Sequence, residues 1–81
     1  MNDMLKNLPV KVAFRTMKAA LGGNEKIARH CKVSVGWVDR WGSAGRDGPT
    51  MSIPEIHWEQ IAKMSKGLIT VDDIRHLHER I

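Results

Sequence analysis

The chain has almost no cysteine and no long apolar segment, and both absences limit its chemistry. Its single cysteine, Cys31, cannot form a disulfide within the chain, and no CxxC or HxxxH pattern is present to hold a structural metal. Its apolar runs are far shorter than the roughly 18 residues that a membrane-spanning helix needs. The start, MNDMLKNLP, lacks the apolar stretch of a signal peptide. We expect a cytoplasmic protein with no membrane partner, no metal and no cofactor.

Internal repeats, low-complexity tracts and linkers are also absent. A chain of 81 residues is the size of one small domain. Such a domain buries only about 60 to 65% of the surface that its unfolded chain exposes, so self-association is a natural way to enlarge the core. We expect one domain over residues 1–81 that forms a homodimer.

Positive charge is concentrated in the first part of the chain. Residues 1–48 carry nine basic and four acidic side chains, whereas residues 49–81 carry four basic and five acidic ones. A basic surface on one part of a small domain favours a polyanionic partner such as nucleic acid. Charge alone does not separate that partner from a solvated basic surface.

Strand-like alternation is nearly absent, so the pattern predicts an all-α bundle of about five helices. The predicted helices cover residues 10–21, 24–31, 34–41, 52–65 and 70–81. Asn24, Ser34 and Thr70 are predicted N-caps, and Ser52 with Glu55 forms a predicted capping box.

Apolar residues recur at helical spacing on one side of several predicted helices. The first helix carries Val10, Ala13, Phe14, Met17 and Leu21 on one face and Lys11, Arg15 and Lys18 on a charged face. The helix over residues 52–65 is predicted to bury Ile56, Ile61 and Met64, with Trp58 and Ala62 beside them.

The segment Asn24 to Ser43 carries the strongest functional pattern. Two short predicted helices are separated only by Lys32 and Val33, so they must cross steeply, as in a helix-turn-helix. Ala28 is small where the second helix crosses, and Ser34 caps that helix. The apolar positions are Ile27, Cys31, Val33, Val38 and Trp41. We therefore predict a helix-turn-helix motif over residues 24–43.

Over about residues 10 to 75, the sequence resembles the Cro-like and YdaS-like helix-turn-helix regulators of phages and prophages. The resemblance is carried by MKAALGG, by VDRW at the end of the second short helix, by the Gly/Pro loop, and by IPEIHWEQIAKMSKG and ITVDDIR. Lys32 stands where this motif usually has Gly in its turn. The resemblance implies a lambda-repressor-like fold and binding to double-stranded DNA.

The resemblance also implies a recognition helix, from Ser34 to Gly42, in the major groove. Arg40 is the expected base reader, because a guanidinium can bond guanine O6 and N7 together. The alternative is that Arg40 is a surface arginine that contacts only phosphate. Val35 is expected near a thymine methyl group, and Gly36 allows close approach. Asp39 either accepts from cytosine N4 or has a structural or discriminating role.

Contacts to the DNA backbone are expected around this helix. The expected set is Ser34, Trp37, Arg29, Lys32, Arg46, Lys26 and Ser43. Trp37 has three interpretations: stacking on sugar and phosphate, packing under the following loop, or contacting a second subunit. Lys11, Arg15 and Lys18 are further candidates, and a solvated charged face is the alternative for all these cations.

The C-terminal helical pair, residues 54–81, is a candidate dimerisation region. Ile74, Leu77 and Ile81 form an apolar stripe that covers either the core or a second subunit. The four histidines lack the spacing of a metal or catalytic site, and the sequence predicts no enzyme.

These features together predict a sequence-specific transcriptional regulator, most simply a dimeric Cro-like repressor. One alternative is an antitoxin that represses its own operon and binds a partner toxin. Another is a protein-interaction module that binds a different regulator through a helix-turn-helix scaffold.

Overall fold

A computed structural model of the protein describes residues 3–42 and 51–81. Within these ranges the backbone forms α-helices and one 3₁₀ turn. The β-structure in these ranges is limited to one isolated bridge, between Trp41 and Met51. The helices are Asp3–Lys6 (α1), Val10–Ala20 (α2), Asn24–Cys31 (α3), Val35–Arg40 (α4), Trp58–Met64 (α5) and Val71–Glu79 (α6), and the 3₁₀ turn is Glu55–His57. The predicted all-α bundle is confirmed.

Helix α2 packs against α1, α3 and α6, and its end is set by two glycines. Phe14 and Met17 are fully buried, as the predicted stripe requires. Gly22 and Gly23 have φ angles of 104° and 98°, which side chains other than glycine rarely adopt. The Gly23 N–H donates to Lys18 O at 3.0 Å, which satisfies a carbonyl of the last turn.

Helix α1 was not predicted from the sequence, because four residues are too few to show a periodic pattern. Leu5 is fully buried and anchors this helix to the core. The Arg80 guanidinium donates to the carbonyl oxygens of Leu5 and Leu8 from the other end of the chain. Helix α1 is therefore held by tertiary contacts rather than by local propensity.

Two of the predicted N-caps are confirmed and one is wrong. Ser34 Oγ accepts from Trp37 N–H at 3.2 Å, and Thr70 and Asp73 form a reciprocal capping box. Asn24 is already the first residue of α3, and Gly23 precedes it as the cap. The Asn24 side chain is instead directed to Asp39 on α4.

The predicted capping box of Ser52 and Glu55 is also wrong. The chain stays extended through Pro54, so the helical region begins at Glu55 with a 3₁₀ turn. Ile53 accounts for the difference: its N–H donates to His78 Nε2 and its carbonyl accepts from Trp58 Nε1, both at 2.8 Å. These bonds fix the backbone where the capping turn would have formed.

This late start also changes which side chains are buried. Ile53 is buried with 2% exposure, whereas Ile56, which was predicted to be buried, is 79% exposed. Ile61 is buried as predicted, and Trp58 and Met64 pack partly against the core. The prediction for Ile56 is wrong because Ile53 occupies the inward position.

One apolar core connects the helices. Its buried apolar members are Leu5, Ala13, Phe14, Met17, Leu21, Ile27, Ala28, Cys31, Val38, Trp41, Ile53, Ile61, Ile69, Ile74 and Leu77. Gly42 closes this core at the end of α4, where its φ angle is 79°. A Cβ atom added at this position would lie only 2.1 Å from Phe14 Cγ. Its N–H donates to Met51 O at 2.6 Å, which joins the two described ranges.

Candidate nucleic-acid interface

Helices α3 and α4 pack against each other across a turn of residues 32–34. Lys32 adopts the left-handed conformation, with φ 59° and ψ 44°, at the position where glycine is usual. Ala28 is buried with 3% exposure, in agreement with the need for a small side chain in α3. The inward-facing residues Val38 and Trp41 anchor α4 on the core.

Because α4 is anchored by Val38 and Trp41, its other residues lie at the surface. The four predicted base-contacting residues, Val35, Gly36, Asp39 and Arg40, are all exposed. A Cβ built at Gly36 would meet no atom within 4 Å, so packing does not demand glycine there. The structure therefore brings the predicted base readers together on one exposed face.

Trp37 lies on a flank of this face and is 42% exposed. Its ring is approached by Arg40, whose Cζ lies 5.9 Å from the ring centroid. This is cation–π geometry between side chains one helical turn apart. Residues 43–50, which form most of the loop under which Trp37 is predicted to pack, lie outside the described residues.

Asp39 lies on the opposite flank and is linked to α3. Asn24 Nδ2 donates to Asp39 Oδ1 at 3.3 Å. Both residues line an open cleft of about 380 Å³ that Arg15 and Lys18 also line. The Asp39 carboxylate thus joins the start of α3 to the end of α4, which supports its structural interpretation.

Lys18 does not belong to the exposed charged face on which it was predicted. It is buried with 4% exposure. Its Nζ donates to the carbonyl oxygens of Val38, Asp39 and Trp41 at 3.2, 3.3 and 2.9 Å. These carbonyls lie in the last turn of α4, where a cation also interacts favourably with the helix dipole.

Burial lowers the pKa of Lys18, and the charge of Arg15 acts in the same direction while Asp39 opposes it. A charged amine loses hydration when it is buried, and the carbonyl contacts offset part of that loss. Lys18 therefore positions α4 on α2 and is not free to contact a ligand. The sequence pattern gave no signal for this role, since Lys18 is spaced from Lys11 and Arg15 as a solvated stripe would be.

The basic residues of α3 and its turn remain at the surface. Lys26, Arg29 and Lys32 are exposed, and Ser34 is exposed beside them. Lys26 and Arg29 line a second open cleft, of about 340 Å³, together with His30 of α3 and Met64 of α5. Two other predicted backbone contacts, Ser43 and Arg46, lie outside the described residues.

The predicted dimer surface on α6 needs correction. Ile74 and Leu77 are fully buried within the chain itself, so their side chains cannot contact a second subunit. Ile81 follows α6 and is 52% exposed, so it alone of the three is available. The apolar stripe of α6 covers the core because α2 and α5 pack against it.

His78 is part of this core structure. Its Nε2 accepts from Ile53 N–H, so its Nδ1 carries the proton and donates to Ile74 O at 2.7 Å. Its ring also packs against those of Phe14 and Trp58. Among the described side chains, no group of three or more His, Cys, Asp or Glu residues could hold a metal ion.

Comparison with known proteins adds no relative: no family model, no curated protein and no solved structure matches this chain. Over residues 3–42 and 51–81, no helix has the length and apolar character needed to cross a membrane.

Proposed function

We propose that this protein is a helix-turn-helix regulator that binds double-stranded DNA sequence-specifically and represses transcription in the cytoplasm. The observation that carries the proposal is α4: two inward residues anchor it, and the four candidate base readers share its exposed face. A recognition helix needs this arrangement, because its outward side chains must reach base edges while the scaffold holds its backbone.

In this proposal, α4 enters the major groove and Arg40 reads guanine through O6 and N7. Val35, which is 45% exposed, contacts a thymine methyl group. Gly36 leaves the helix backbone close to the bases. The hydrogen bond from Asn24 orients Asp39, which discriminates among bases rather than adding affinity.

The cations of α3 and the turn supply affinity that does not depend on sequence. Lys26, Arg29 and Lys32 are exposed on the same helix and its cap, and each contacts phosphate in the proposed complex. Such contacts release counterions, so affinity falls as salt concentration rises.

The proposed regulator acts as a homodimer. One recognition helix contacts only a few base pairs, so useful specificity needs two half-sites about one helical turn apart. Because Ile74 and Leu77 are buried, the subunit contact must use other exposed apolar side chains, of which Ile81 is one.

Selection from random duplex DNA, followed by sequencing of the bound molecules, tests the proposal. We expect enrichment of a two-fold symmetric site. Arg40→Ala should cost about 1 to 3 kcal/mol of binding free energy and relax the base preference at one position of the site. Lys32→Ala should weaken binding to all duplexes alike, and it should lower by about one the slope of log affinity against log salt concentration. Arg75→Ala, at an exposed position of α6, is the matched control and should change neither quantity. Equal, uniform losses for Arg40→Ala and Lys32→Ala would contradict the recognition assignment.

A second candidate function is binding of a partner protein. The partner would be a toxin, if this protein is an antitoxin, or another regulator. Ile56 favours it, since this apolar side chain is 79% exposed in an open cleft of about 440 Å³. Glu55 and Glu59 line the same cleft, which suits a partner with basic and apolar side chains. A folded protein that enriches no duplex would favour this function over DNA binding.

A further inference from the structure

An aromatic ring and a cation lie side by side on the exposed face of α4. The Arg40 Cζ atom lies 5.9 Å from the centroid of the Trp37 ring. The indole is 42% exposed, so much of its surface is not used for packing. Exposure of a large apolar side chain to water is unfavourable. The exposed Trp37 ring has a favourable contact with the Arg40 cation, which offsets part of this cost.

The geometry of such a pair leaves the arginine able to bind a second ligand. A cation–π contact uses the positive charge of the guanidinium and the face of the aromatic ring, whereas hydrogen bonds to guanine use the guanidinium N–H groups. An arginine that is already held over a ring also loses less conformational freedom when it binds. The two interactions are therefore compatible and can reinforce each other.

We infer that Trp37 is a positioning residue for Arg40, holding its guanidinium in place to read guanine. The inference rests on the proposed function and assigns Trp37 a role in base specificity rather than in phosphate binding. Asp39 is held by Asn24 on the other flank, so Arg40 and Asp39 are each held by one neighbour. The exposed face of α4 is thus partly preorganised before any DNA is bound.

The contact itself is tested without DNA. Nuclear magnetic resonance of the free protein should show the Arg40 side-chain protons shifted upfield by the ring current of Trp37. Trp37→Leu should remove that shift, and Trp37→Phe, which retains a ring, should keep part of it. The Arg75 protons serve as the internal control and should not move. Arg40 shifts that are the same in wild type and Trp37→Leu would overturn the inference.

The role in specificity is tested by a double-mutant cycle on the enriched duplex. We expect Trp37→Leu to weaken binding about 2- to 5-fold and to lower the preference for guanine at the Arg40 position. In an Arg40→Ala background, the same change should alter affinity less than about twofold, because its effect passes through Arg40. Trp37→Leu combined with Lys32→Ala should be additive, which provides the matched control.

The two proposals fail in different ways. If Trp37→Leu lowers DNA affinity equally with and without Arg40, Trp37 contacts the DNA backbone directly. This result would overturn the inference and leave the proposed DNA binding intact. A folded protein that enriches no duplex would overturn the proposed function together with the role of Trp37 in reading guanine. A persistent ring-current shift would then identify the pair as a surface contact only.

Discussion

Lys18 shows how one side chain can determine the position of a helix that it does not belong to. Its amino group bonds three backbone carbonyls at the end of α4, although it is part of α2. The sequence predicted an exposed cation here, because helical spacing alone does not reveal a neighbour distant in the chain. The buried partners of a long polar side chain come from tertiary packing, which no local pattern records.

Removal of this amino group should destabilise the protein. Lys18→Met keeps most of the side-chain volume but removes the Nζ that donates to the carbonyl oxygens of Val38, Asp39 and Trp41. We expect a loss of about 1 to 3 kcal/mol in the free energy of unfolding at neutral pH, measured by urea denaturation. Lys63→Met, at an exposed position on α5, should change it by less than about 0.5 kcal/mol. Equal effects of the two changes would contradict the capping role of Lys18.

The lowered pKa of Lys18 also predicts the direction of a pH effect. Between that lowered pKa and the ordinary value, the unfolded chain binds more protons at Lys18 than the folded chain does. The contribution of Lys18 to stability therefore rises with pH across this alkaline window. The difference in unfolding free energy between wild type and Lys18→Met should increase there. A difference that stays constant or falls as the pH rises would show that burial does not lower the pKa of Lys18.

At the scale of helices, the sequence predicted most elements and failed where tertiary contacts replaced local ones. The predicted starts at Ser34 and Thr70 are confirmed, because both caps depend only on residues within one turn. Ser52 fails because His78, far along the chain, binds the amide of Ile53. Helix α1 was missed for the same reason, since Arg80 and the core hold it.

A pair of alanine substitutions distinguishes the cap that forms from the cap that does not. Thr70→Ala removes a hydroxyl that accepts from Asp73 N–H at 3.1 Å, and it should cost about 1 kcal/mol of unfolding free energy. Ser52→Ala should cost little, because the helical region begins after Pro54. Thermal or urea unfolding of the two variants provides the measurement, and a larger loss for Ser52→Ala would contradict these helix starts.

The candidate site was predictable in part. The exposed positions of α4 followed from the inward spacing of Val38 and Trp41, whereas Lys32 was a departure from the usual glycine and nevertheless adopts the left-handed conformation. The contacts of Trp37 with Arg40 and of Asn24 with Asp39 did not follow, because both depend on side-chain orientation at a surface. The sequence thus indicated which residues of α4 are exposed but not how their side chains are held.

Considered as a whole molecule, the bundle uses its apolar residues to close its own core. Helix α6 was expected to serve either the core or a second subunit, and Ile74 and Leu77 are committed to the core. Among the described residues, the large apolar side chains that stay exposed are Val12, Val35, Trp37, Ile56, Leu68 and Ile81. In the proposed homodimer, a duplex with two half-sites would strengthen the association, because it holds both subunits together.

The lone sulfhydryl of Cys31 gives this bundle its own reporter of opening. It lies in the core with 4% exposure, and burial raises its pKa. Only an accessible thiolate can attack a disulfide reagent and displace the reagent's own thiolate, so labelling requires α3 to open. We expect labelling far slower than that of free cysteine, and slower still when a bound duplex stabilises the folded state. Labelling as fast as free cysteine would contradict the packing of α3. Since the chain has one cysteine, this measurement needs no engineered probe.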